Sequence, residues 1–95
     1  MDRYHFTLYV AGSSGRSEQA RRNLEALAAG HLGGHADITT IDVLSDPEAA
    51  ETHRILTTPT VVRTRPTPTR RVTGDLSNLA SVVAALELPP LDQPS

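Results

Sequence analysis

Cysteine is absent from this 95-residue chain, as are tryptophan and lysine. Without a thiol there is no disulfide framework, no Cys-x-x-Cys redox pair and no thiolate metal site. Aromatic residues make up only 3% of the sequence, so a core must come from the Leu, Val, Ile and Ala that dominate its 38% hydrophobic content. That composition implies modest stability and some reliance on self-association. Neither sign of charge prevails: the formal net charge is -2, which argues against wholesale nucleic-acid binding. No apolar run approaches the ~20 residues needed to cross a bilayer, and no signal peptide is visible. The chain reads as soluble and cytoplasmic, with neither a membrane nor a nucleic acid as partner. Its length holds one domain, residues 1–95, with no room for a second core.

What is present is an ordered run of strand and helix patterns. Tyr4 to Ala11 is rich in β formers, and Phe6, Leu8 and Val10 alternate with more polar neighbours, which predicts a strand. Gly12-Ser13-Ser14-Gly15 breaks it. Ser17 is a candidate helix cap with Glu18 beside it, and Ala20, Leu24, Leu27 and Ala28 recur at helical spacing until Gly30, Gly33 and Gly34. Ile38 to Leu44 predicts a second strand, parallel to the first through a right-handed crossover. Asp46-Pro47-Glu48 is a helix start: a capping aspartate, proline at the first helical position, then an acid at the positive end.

Ala49, Ala50, His53 and Leu56 give that second helix a thin apolar stripe, and Pro59 ends it. Thr60 to Thr64 and Arg70 to Thr73 predict two strands joined by Pro66-Thr67-Pro68. Ser77 is a candidate cap for a last helix, whose Leu79, Val82, Val83 and Leu86 follow the i, i+3, i+4, i+7 spacing. Pro89-Pro90 stops it, leaving residues 89–95 as a disordered tail. The order βαβαββα is the thioredoxin topology. In such folds the strand entering the middle of the sheet commonly follows a Thr-Pro dipeptide, often cis, and Thr58-Pro59 occupies that place. From about Thr52 onward the patterns are locally indecisive: β-branched residues fall in short segments and prolines interrupt them. Marginal packing energies leave room there for two near-degenerate arrangements, although Ala84 to Leu88 favours the helical one.

Four constellations bear on chemistry. Ser13 and Ser14 lie where thioredoxins carry their thiols. A serine-type, glutathione-binding enzyme would use them, but no activating base accompanies them, and a turn plus a cap accounts for both. His31 and His35 have a spacing that some metals use, but Gly33 and Gly34 lie between them and no third ligand suggests itself, so neither a metal nor a cofactor is expected. Arg63, Arg65, Arg70 and Arg71 bracket the proline turn with no acid nearby. Strand alternation puts Arg63 and Arg65 on one face, suited to gripping phosphate or steering onto an acidic protein surface, or simply forming a solvated edge guarded against aggregation. Asp42 is an odd carboxylate in an apolar strand, with no catalytic role evident.

Leu8 to Gly12, Ile41 to Leu44, Asp46-Pro47 with Ala50-Glu51, Ile55 to Thr60, Arg70 to Val72 and Gly74 to Ser77 together resemble one family, KaiB of the bacterial circadian clock, over roughly residues 6 to 88. The resemblance extends to the sensor domain of the kinase SasA. It implies a non-enzymatic protein that exchanges a tetrameric ground-state fold for a monomeric thioredoxin-like one by refolding its second half. It also implies binding of the thioredoxin-like form to a KaiC-like ATPase ring, with KaiA or a SasA-type kinase as further partners where present. An adaptor in stress or signalling without an oscillator is the alternative. Arg70, Arg71, Gly74, Asp75 and Pro59 align with the switching segment or its flanks, as positions for partner contact or control of the switch. Where the family usually carries a glycine and an aspartate, this chain aligns Ala85 and Glu87. Because alanine lacks glycine's cost of about 1 kcal/mol in a helix, the thioredoxin-like form is expected to be more populated here than is typical. Shorter termini weaken the expectation of a tetramer, and the monomer, dimer and tetramer all stay open.

Overall fold

The alternation of Phe6, Leu8 and Val10 buries one face of β1 (Tyr4–Val10), which becomes a central strand. These positions belong to a computed structural model that describes residues 3–91. After the turn at Gly12, α1 (Gly15–Leu32) runs with Ala20, Leu24, Leu27 and Leu32 buried against the sheet. Its cap is Ser14 and not Ser17: the Ser14 hydroxyl accepts from the Ser17 amide at 3.2 Å, and Ser17 is buried in the first turn. A serine three residues earlier serves better because it keeps an extended backbone (ψ 158) while reaching the orphan amide. Gly33 ends the helix in the left-handed conformation, its amide returning to the Ala28 carbonyl.

β2 (Ala36–Asp42) pairs with β1 in parallel, two residues earlier than the spacing predicts. The strand stops at Asp42 because its carboxylate accepts the amides of Gly12 (3.1 Å) and Leu44 (2.9 Å), turning the chain there. This carboxylate therefore pins two loops. The Asp46 cap and first-position Pro47 of α2 (Pro47–Thr52) stand as predicted, with Asp46 accepting from Ala49. The helix lasts six residues and buries none of them, and Leu56 is 93% exposed, outside any apolar stripe. A helix with so little to pack has no tertiary support for further turns.

β3 (Thr60–Arg65) and β4 (Arg70–Thr73) pair antiparallel and complete a sheet of order β2-β1-β3-β4. α3 (Leu79–Ala85) is capped by Asn78, which accepts from Ser81, and not by Ser77, whose amide donates instead to Asp75. Val82 and Leu86 enter the core while Leu79 stays half exposed. α1 and α3 cover one face, where Phe6, Leu8, Leu24, Val61, Leu76 and Leu86 meet. The other face takes Tyr9 against His53, ring centroids 6.0 Å apart.

Beyond α3, the Glu87 amide donates to Ala84 and the Leu88 amide to Val83, a Schellman closure with Glu87 at φ 53. Of the expected tail, residues 92–95 lie outside the described residues, and Pro89 is held, its carbonyl 2.8 Å from His31 Nδ1. The Thr58–Pro59 peptide is cis, as are Arg65–Pro66 and Thr67–Pro68.

Candidate functional site

Most of the switch positions read from the sequence come together along one seam between β3, β4 and the two ends of α3. Gly74 leaves β4 at φ 103, a conformation that favours glycine, and its amide donates to the Pro59 carbonyl at 2.8 Å. Asp75 follows with both ends engaged: Asn23 of α1 donates to its carbonyl at 2.7 Å, and its carboxylate accepts the Ser77 amide at 3.0 Å. The hydrogen bonds from Ser77 hold the Asp75 carboxyl below its ordinary pKa. These ties set Leu76 at φ 64 and drive its side chain, 2% exposed, into the core.

The far end of α3 is closed by Arg63, whose importance the sequence reading missed. Its guanidinium is buried. Nη1 donates to the Leu86 carbonyl at 2.7 Å, Nη2 donates to the Pro68 carbonyl at 2.6 Å, and the group lies 6.0 Å from the Tyr4 ring centroid. Glu87 stands 3.8 Å from it and accepts from Arg70 Nε at 2.9 Å. Arg70, first, and Arg63, less strongly, hold the Glu87 carboxyl below its ordinary pKa. One signal in the sequence could have found Arg63: in a strand it shares the face of Val61, two residues back, which is fully buried.

Arg65 does not share that face. The register between β1 and β3 shifts between His5 and Phe6, so that Phe6 pairs with Arg63 and His5 with Arg65, leaving Thr64 as an extra residue. A bulge of this kind reverses the alternation beyond it. Arg71, on the face of Tyr9, donates to the carbonyls of His53 (2.9 Å) and Arg54 (3.1 Å), clasping the end of α2. Ala85 lies exposed in the last turn of α3.

The Gly12–Gly15 loop offers little chemistry. Ser14 is engaged in the cap and hydrogen-bonds Ser17 Oγ at 2.9 Å, and among the described residues neither Ser13 nor Ser14 is hydrogen-bonded to a histidine or a carboxylate. His31 and His35 are separated by the end of α1 at Leu32. Among the described residues no group of three or more His, Cys, Asp or Glu could hold a metal ion.

A βαβαββα domain with sheet order β2-β1-β3-β4, Pro59 at the entrance to β3, and serines where thiols would stand is a thioredoxin-like domain without a thiol. Chloroplastic thioredoxin z shares the architecture with a TM-score of 0.68, at 25% identity over 90% of this chain and 80% of that one. So does the N-terminal domain of Synechococcus elongatus SasA, with a TM-score of 0.72 at 21% identity over 88% and 81% of the two chains. In sequence, the model of the KaiB domain matches residues 7–88. Circadian clock protein KaiB3 of Synechocystis is 38% identical over 90 residues, 95% of this chain and 88% of the relative. The circadian clock oscillator protein KaiB of Thermostichus vulcanus is 40% identical over 85 residues, 90% and 79% of the two chains. The chain belongs to the KaiB family. No helix among the described residues is long and apolar enough to cross a membrane.

Proposed function

We propose that this chain is a non-catalytic, cytoplasmic regulator of the clock type. Its thioredoxin-like form docks on a KaiC-like ATPase ring, and refolding of its second half gates that docking. The observation that carries the reading is the combination of a KaiB-family sequence over residues 7–88 with the architecture of the SasA N-terminal domain.

Arg70, Gly74, Asp75, Glu87 and Pro59 control the equilibrium by holding α3 on the sheet, and Arg70 and Arg71 present charge to the partner. Only the fraction of molecules in the competent fold binds, so apparent affinity scales with that fraction. Ala85, a good helix former in the last turn of α3, raises it. The thioredoxin-like form is accordingly the dominant and monomeric one in this chain, the tetramer belonging to the other arrangement. KaiA and SasA-type kinases are further partners in hosts that carry them.

The test is a pulldown of the purified chain against a KaiC-type ring, with and without ATP, alongside circular dichroism and size exclusion at several concentrations. Retention on the ring and a monomer of mixed α/β content are expected. Failure to bind in either nucleotide state removes the docking claim. A stable tetramer without the C-terminal helix removes the claim about populations.

A further inference from the structure

The four arginines around the proline turn have different fates. Arg63 is buried on backbone carbonyls, Arg70 is paired with Glu87, and Arg71 is engaged with the end of α2. Arg65 alone of the four has a side chain with no hydrogen bond or ion pair among the described residues. The register shift that separates it from Arg63 brings it opposite His5 on β1, and His5 in turn lies opposite Asp37 on β2. Arg3, two residues before His5 and so on the same face, donates from Nε to Asp37 at 2.8 Å, and His5 Nδ1 lies 3.6 Å from the same carboxylate.

Arg3, His5, Arg65, Pro66 and Thr67 line a cleft of about 330 Å³ at this end of the sheet. α2 and its following turn cover the opposite end of that face, near Tyr9. The carboxylate of Asp37 occupies only Nε of Arg3, which leaves that guanidinium's remaining donors, the whole fork of Arg65 and the Thr67 hydroxyl for a ligand. Two arginines lining one cleft with a histidine and a threonine suit a tetrahedral dianion better than a planar monoanion. A phosphoryl group can accept from both forks at once.

The geometry points to this cleft as a binding site for a phosphoryl group, carried either by a small phosphate compound or by a phosphorylated side chain of a partner. The site lies on the sheet face opposite α1 and α3, and it does not depend on whether a KaiC-like ring is the chain's partner. Arg65 is the main ligand-holding residue and Arg3 the second. Asp37 orients Arg3 through its bond to Nε.

The test uses the intact chain, its amide NMR spectrum, and three probes: inorganic phosphate, a short phosphoserine peptide and acetate. Saturable shifts centred on His5, Arg65 and Thr67 are expected with both phosphates, at an affinity at least tenfold tighter than for acetate. Arg65→Gln should weaken phosphate binding at least fivefold and Arg3→Gln at least twofold, both without change in the circular dichroism spectrum. Arg22→Gln removes an exposed cation on α1 and should change the affinity by less than twofold. A peptide that binds tenfold more tightly than inorganic phosphate assigns the site to a phosphorylated partner, and equal affinities assign it to a small phosphate compound. Unsaturable shifts spread over all the arginines, or an Arg65→Gln variant that binds as the parent does, would overturn the proposal.

Discussion

Arg63 is the residue on which the architecture of the second half most depends, and Arg63→Met isolates its contribution. Methionine keeps an unbranched apolar stem in the space beside Tyr4 but removes both donors. The two bonds to the carbonyls of Leu86 and Pro68, at 2.7 and 2.6 Å, are of the charged kind. Such bonds are worth roughly 1.5–3 kcal/mol each. Against them stands the Arg63 Nε, buried with no partner, whose desolvation costs about 1–3 kcal/mol and is recovered in the variant. The balance is a loss of about 2–3 kcal/mol.

Replacing a whole buried ion pair by apolar side chains is often neutral, but the partners here are backbone carbonyls that no substitution removes. In a domain of this size the loss lowers Tm by roughly 10–20 °C. Urea and thermal denaturation followed by circular dichroism supply the measurement, and amide exchange at Ala85 to Leu88 supplies the location. Arg63→Lys keeps the charge but not the fork and should fall between parent and methionine. If Arg63→Met unfolds within about 0.5 kcal/mol of the parent, the assignment of Arg63 as the clasp of α3 is wrong.

Three further outcomes follow from the same structure. Gly74→Ala has space for its Cβ, the nearest atom being Arg16 Nη2 at 3.9 Å, but φ 103 does not suit an L side chain, so a loss of roughly 1–2 kcal/mol is expected in denaturant titration. A neutral result there would show that the turn relaxes freely. Ser14→Ala should cost about 1 kcal/mol through the lost cap, whereas Ser17→Gly, which keeps the amide Ser14 accepts from, should leave that cap bond in place; equal stability of Ser14→Ala and the parent would return the cap to Ser17.

The Glu87 and Asp75 carboxyls both lie below their ordinary pKa in the folded chain, so their contribution is full above the unfolded value and disappears as pH falls through the folded one. Stability should therefore decline below about pH 4, and Glu87→Gln should flatten part of that decline. A pH profile identical to the parent's would remove Glu87 from the seam.

The order of elements was legible because each rests on local chemistry. The alternation of Phe6, Leu8 and Val10, the heptad-like recurrence from Ala20 to Ala28, and Asp46-Pro47 as cap and first turn all follow from periods and propensities that need no partner. Where several capping residues cluster, the sequence alone could not choose among them. Ser14 outranks Ser17, and Asn78 outranks Ser77, because the neighbouring loops decide which backbone stays extended. Likewise, Leu56 has the composition of a core residue and is exposed, since α2 finds nothing to pack against that far along.

The chain by itself excluded thiol chemistry and carried no apolar run long enough to span a membrane, and its ordered fragments carried the KaiB resemblance. Only the tertiary structure sorted its arginines. A single extra residue at Thr64 places Arg63 under α3 and Arg65 beside His5, because a one-residue slip in strand pairing sends every side chain beyond it to the opposite face. Pairing across strands is a long-range property, and no pattern within β3 records it.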